Sequence, residues 1–201
     1  FDLVVRGGHV ATLGGEFDGD IGIAGGKIAA MGEGLGHGAA EIDAAGRLVM
    51  PGGVDSHCHV EQISSNGVWT ADDWFTATRS AACGGTTTII DFAVQTYGQN
   101  VRDSLEAWFA KAEGECAVDY GFHMILGDIN EASLKEMDTL VGEGISSFKL
   151  FMAYPGVFYS DDGQILRAMQ VAANNGSLIS MHAENGIAID VLAERAASRG
   201  D

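Results

Sequence analysis

The sequence predicts an α/β fold: about strands one to five of a (β/α)8 TIM-type barrel, preceded by a small unit of short strands. Three observations carry this. From Met50 onward, apolar or β-branched runs alternate five times with amphipathic helical stretches, the pattern of parallel strands joined by right-handed crossovers. No Gly-rich phosphate fingerprint follows the first of these strands, which counts against a doubly wound dinucleotide fold. Polar residues gather where the strands end, at His57 and His59, Asp91, Lys149 and His182. Strand ends converge on one site in a barrel, so the barrel is favoured.

Residues 1–50 read as short strands with glycine turns. Leu3–Arg6 runs into Gly7-Gly8, followed by His9–Leu13, Asp20–Ile23 and Lys27–Met31. A small antiparallel unit is expected, continued by Glu41–Asp43 and Arg47–Met50, with His9 and His37 on its surface. The second unit, residues 51–201, opens with Val54–His59. Thr70 and Asp73 then suggest a capping box for a helix through Trp74, Phe75, Thr78 and Ala81, stopped at Gly84-Gly85. Strands are expected over Thr86–Phe92, Val118–Leu126, Ile145–Phe151 and Ser177–His182. The intervening helices carry Leu105 and Trp108, Leu134 and Met137, and Ile165 and Ala168, and Ile187–Ala197 forms the last.

With 46% hydrophobic and 19% charged residues, the 201-residue chain is expected to bury a substantial core. A formal charge of −17 with no basic stretch argues against a nucleic-acid partner. The apolar runs are too short to span a bilayer, and Phe1–Val5 lacks the basic flank of a signal peptide. Cys58, Cys83 and Cys116 are odd in number and widely spaced. A reduced, cytoplasmic setting without structural disulfides is therefore expected.

Chemistry centres on His57-Cys58-His59. On a strand the two imidazoles project to one face and Cys58 to the other, so one metal ion can take both rings. Such a pair also occurs as an exposed or core-satisfied feature. Lys149 lies within an apolar strand. It either snorkels to the rim and pairs with a carboxylate, or, neutral beside metal-binding histidines, adds carbon dioxide to become a bridging carbamate. His182 is either a ligand or a core imidazole, with Glu184 and Asn185 as candidates for orienting it. His123 has no obvious partner and is assigned to core packing. Asp91 is read as orienting neighbours or capping the next helix. Tyr97, Tyr120 and Tyr159 are read as packing or surface residues.

Four stretches together resemble the amidohydrolase superfamily, and within it the dihydropyrimidinase/D-hydantoinase group. They are Pro51–His59, Gly84–Ala93, Ser147–Tyr154 and His182–Asn185, the lysine stretch being the most specific. The resemblance implies that residues 1–50 belong to a β-sandwich. It implies two divalent metals, zinc with manganese as the alternative, held by His57, His59, Lys149 and His182. Lys149 would be N6-carboxylated and bridge both metals, and Tyr154 would hydrogen-bond the oxyanion. The implied activity is hydrolysis of a dihydropyrimidine or 5-substituted hydantoin ring by metal-activated hydroxide, in a cytoplasmic homotetramer whose partner is a small cyclic amide.

A full barrel takes about 250 residues. Strands six to eight, a fourth histidine and the family's aspartate base are therefore expected outside this stretch. The 201 residues alone are expected to be poorly soluble and inactive. Allantoinase or dihydroorotase chemistry is the near alternative. From another class stands a non-catalytic assembly homologue, which would lack the ligands present here.

Overall fold

The computed structural model describes residues 1–64 and 67–200 and divides into two compact units, Phe1–Gly52 and Gly53–Asp201. In the first unit, β1 (Leu3–Thr12), β2 (Gly15–Ala24) and β3 (Lys27–Gly32) form an antiparallel meander. β4 (Ala40–Asp43) and β5 (Leu48–Val49) then pair parallel to β1. The sheet is therefore mixed, not wholly antiparallel as expected.

Arg6 explains the parallel return. Its guanidinium donates to the Leu35 and Gly36 carbonyls and to Asp20 and Glu41, drawing the connection back alongside β1. Gly7-Gly8 also does not end a strand. β1 runs through them with a register shift between Val5 and Gly8. A Cβ on Gly8 would stand 2.5 Å from Val49 Cγ2, so the bare backbone lets β5 close in. His9 and His37 face solvent, His9 between Asp18 and Glu16, and His37 beside Glu41.

The second unit is a parallel sheet in sequential order: β6 (Gly53–Cys58), β7 (Thr86–Val94), β8 (Asp119–Ile125), β9 (Ser147–Phe151) and β10 (Leu178–His182). The helices α1 (Trp74–Cys83), α2 (Val101–Ala112), α3 (Glu131–Gly142), α4 (Asp162–Asn175) and α5 (Gly186–Arg199) follow the strands in turn. This is the curled, incomplete barrel that the strand–helix rhythm predicts.

Two apolar clusters lie on opposite faces of the sheet. Ile89, Phe122, Met124, Phe148 and Leu150 pack with Trp74, Leu105, Met137 and Leu140 of the helices. Phe92, Ile125 and Phe151 form a smaller cluster on the inner face. The split follows from strand parity, since alternate residues point to opposite sides.

Asn or Asp caps every helix of this unit, because a short side-chain acceptor satisfies the free N–H groups of a first turn. The cap of α1 is Asp73 with Thr76, not Thr70 with Asp73. Thr70 is engaged elsewhere: its hydroxyl accepts from the Gln62 amide and its own amide donates to the Gln62 carbonyl. It belongs to a loop closed by the Ile63–Trp69 bridge.

Candidate metal centre

β6 pairs with β7 with a first register shift between Gly53 and Val54 and a second after Asp55, and pairing resumes at Cys58 opposite Asp91. Ser56 and His57 fall in this gap. The His57 amide donates to Asp55 Oδ1 at 3.0 Å, a local turn of the strand. Past it, Cys58 packs against the helix-side core. The imidazoles of His57 and His59 stand with centroids 5.5 Å apart, and each lies against Phe92, at 4.6 and 5.1 Å.

Lys149 approaches the same ring, with Nζ 5.2 Å from its centre. Nζ is also 5.5 Å from the centre of Phe151, whose ring stacks on His182 at 5.5 Å. Tyr154 packs on His182 at 5.2 Å. Lys149 thus stands between a His57–His59 pair and a His182–Tyr154 pair, each backed by a buried phenylalanine.

Burial lowers the pKa of Lys149 toward the neutral amine. Burial likewise lowers His57, helped by the charges of Lys149 and His123 and opposed by Asp55. His59 is lowered by burial first, then by His57 and Lys149, against the raising effect of Gln62. Neutral imidazoles and a neutral amine are the forms that coordinate or react. Among the described residues no three His, Cys, Asp or Glu side chains converge on one point. The donor set of nitrogens still suits a divalent ion: burial shifts His57 and His59 toward the neutral form, and Gln62 Oε1 meets His59 Nδ1 at 2.9 Å. With the amide oxygen accepting, the proton sits on Nδ1 and Nε2 keeps a free lone pair.

On the other half, His182 Nε2 faces Glu184 Oε2 at 2.5 Å, and Asn185 caps α5. Tyr154 is 43% exposed and holds a left-handed backbone, φ 59°. Its carbonyl accepts from the amides of Val157 and Phe158, so the strained residue anchors a tight turn. A Cβ on Gly186 would meet Ala153 Cα at 2.7 Å, and the Gly186 amide donates to the Met152 carbonyl. This contact holds the turn of Tyr154 against the end of β10.

Asp91 points to the helix side, fully buried, accepting from the Val60 amide at 3.3 Å. It does not cap α2, whose cap is Asn100. Its second oxygen and the Trp108 indole nitrogen have no hydrogen-bond partner among the described residues. The indole N–H acts on the carboxyl without completing a bond, and burial pushes Asp91 up to about 7.

Gln62, the partner of His59, also lines a cavity of about 260 Å³ together with Ile63, Trp69, Val94, Trp108 and Phe158. Lys111 closes one side, its ammonium 4.5 Å from the Trp108 ring centre and donating to the Glu61 carbonyl at 3.0 Å. The loop that shapes this cavity therefore also carries the side chain that orients His59.

Sequence reasoning did not single out Gln62 or Phe92, and it left His123 as packing. Strand parity could have flagged Phe92, which must face opposite to Asp91. His123 is in fact bonded at both ring nitrogens, to Ser147 Oγ and to the Ser56 carbonyl.

Residues 48–200 match the model of the amidohydrolase family. A D-hydantoinase of Streptomyces coelicolor is 60% identical over 205 residues, which cover 98% of this chain and 44% of that protein. A solved D-hydantoinase structure matches with a TM-score of 0.95 at 43% identity, over 100% of this chain and 44% of the other. The L-hydantoinase (dihydropyrimidinase) of Arthrobacter aurescens gives 0.83 at 28% identity, over 100% and 45%. The chain thus spans less than half the length of each of these relatives. The family match covers nearly all of the unit that holds the paired histidines and the half-buried lysine, and the chain belongs to the amidohydrolase family.

Proposed function

We propose that the protein containing this chain hydrolyses a cyclic amide, a 5-substituted hydantoin or a dihydropyrimidine, at a centre of two divalent metal ions. The observation that carries the reading is the position of Lys149, half-buried between the two phenylalanines that back the histidine pairs. In this reading His57 and His59 would hold one ion, zinc or manganese, His182 would hold the other, and Lys149, carboxylated on Nζ, would serve both. A bare ammonium between two dications would repel them, whereas a carbamate is an anion with two oxygens. Metal ions bound there would supply Lewis acidity toward a ring carbonyl and the attacking water.

The remaining steps belong to side chains of this chain. Tyr154 donates its hydroxyl proton as a hydrogen bond to the oxygen that gains charge when the ring carbonyl is attacked. Gln62 keeps the His59 proton on Nδ1. The apolar walls of the neighbouring cavity, Ile63, Trp69, Val94 and Phe158, suit a ring substituent. The proton-transfer base is assigned to the longer protein.

Family likeness also supports a cytoplasmic homotetramer, which sedimentation of the intact protein tests. Among the described residues no helix is long and apolar enough to cross a membrane. The decisive experiment measures metal content and ring opening in the purified intact protein. Hydantoin, dihydrouracil, allantoin and dihydroorotate are offered separately. Metal-dependent opening of the first two is expected. Protein without metal, or opening confined to allantoin or dihydroorotate, overturns the reading.

A further inference from the structure

β6 and β8 are not neighbours, because β7 lies between them. One side chain nonetheless bridges them. His123 of β8 reaches across the inner face, its Nε2 2.9 Å from the carbonyl oxygen of Ser56. That carbonyl belongs to the gap where β6 leaves its ladder with β7, so no strand partner is aligned with it. On its other side His123 Nδ1 meets the hydroxyl of Ser147 on β9. The ring is backed by Phe92 at 4.7 Å.

The chemistry settles the tautomer. A carbonyl only accepts, so Nε2 carries a proton, and in the tautomer with its single proton there Nδ1 accepts from the Ser147 hydroxyl. Ser56 immediately precedes His57 in the chain. Ser147 lies two residues before Lys149, hence on the same face of β9. One imidazole therefore grips the backbone beside one candidate ligand and the strand face of another.

We propose that His123 is a positioning residue of the metal centre: it fixes the slipped Ser56 peptide that aims His57, and couples that peptide to the face of β9 that presents Lys149. The proposal rests on the metal-binding reading above. Rotation of the Ser56 peptide would swing the His57 side chain away from its place beside His59. The hydrogen bond from His123 opposes that rotation where the β6–β7 register is interrupted.

The test compares the intact wild-type protein with His123→Leu, His123→Gln and Ser147→Ala. Zinc affinity is measured by competition with a chelator, and the visible spectrum is recorded after cobalt substitution. A glutamine amide can still donate to the Ser56 carbonyl, whereas leucine cannot. His123→Leu is expected to weaken zinc binding by about 10–100-fold, the range for groups that orient metal ligands, and to alter the cobalt bands. His123→Gln is expected to recover most of the affinity. Ser147→Ala should lose less than His123→Leu, since the Ser56 bond survives. Equal losses in the leucine and glutamine variants, or wild-type affinity and spectrum in the leucine variant, overturn the proposal.

A metal-free measurement stands beside these and survives a variant that fails to fold. In the wild-type apoprotein, long-range proton–nitrogen correlation should show His123 protonated on Nε2. Protonation on Nδ1 alone overturns the proposal. A wild type that binds no zinc while showing the Nε2 tautomer refutes the metal-centre reading instead, so the two failures are distinguishable.

Discussion

The Nζ of Lys149 lies 5.2 Å from the centre of the Phe92 ring, and that ring also backs His57, His59 and His123. Burial at this place lowers the pKa values of His57, His59 and Lys149. In the proposed centre this ring is the floor on which neutral donors assemble.

Lys149→Ala is expected to abolish metal binding and ring opening in the intact protein, and a short carboxylic acid added to the buffer should restore part of both. A structure of the metal-loaded protein should show a carboxylate on Nζ. A plain ammonium between two bound metals would refute the bridging role.

Phe92 is 3% exposed, so Phe92→Ala removes a buried ring and should destabilise the fold by about 3–5 kcal/mol. Phe92→Leu should fold, lose less stability, and bind metal more weakly because the histidine rings lose their common support. Chemical denaturation and metal titration check the two effects separately. Unchanged metal affinity in the leucine variant would limit Phe92 to packing.

Tyr154→Phe should lower kcat by about 10²–10³ with little change in KM, the loss seen when one donor to a developing oxyanion is removed. The substitution leaves the left-handed backbone and its turn in place, so stability should hold. A variant with wild-type kcat would remove Tyr154 from the chemistry.

Cys58 packs against the helix-side core, and burial first, then Asp91 and Asp55, pushes its thiol up to about 12. The thiolate is the reactive form, so alkylation at pH 8 should spare Cys58 and label the exposed Cys83. Cys58→Val should leave metal content unchanged. Rapid labelling of Cys58 in the folded protein would place it on the wrong face.

Asp91 gives a pH dependence with a definite sign. Its folded-state pKa stands at about 7, against an ordinary value of 3.8. A raised pKa means that the folded state holds its proton longer than the unfolded chain. This contribution is fully present below about pH 3.8 and is lost as pH rises through 7. Within that window the Asp91 contribution should fall by about 1.4 kcal/mol per pH unit. Asp91→Asn should remove this part of the slope between pH 5 and 7 in denaturant titrations. An unchanged slope would show that the carboxyl is ionised in the folded protein.

Much of this architecture was legible before any coordinates. Five strand–helix units follow from alternating apolar periods, and those periods are local. Strand parity was enough to set His57 and His59 against Cys58. The caps of α2 to α5 were not read from the sequence, although Asn100, Asn130, Asp161 and Asn185 each satisfy a need within three residues of themselves. Where the reading slipped, a distant partner decided. Thr70 was taken from the cap of α1 by Gln62, and the Arg6 guanidinium turned the end of the first sheet parallel. The deepest case is His123, bonded to a carbonyl 67 residues away across an intervening strand. Residue types and their periods specify which face of an element is buried and which side chains are free for chemistry. Which of them meet is decided only when the strands take their register in the sheet, because contacts across β7 depend on a slip in β6 that no local pattern records.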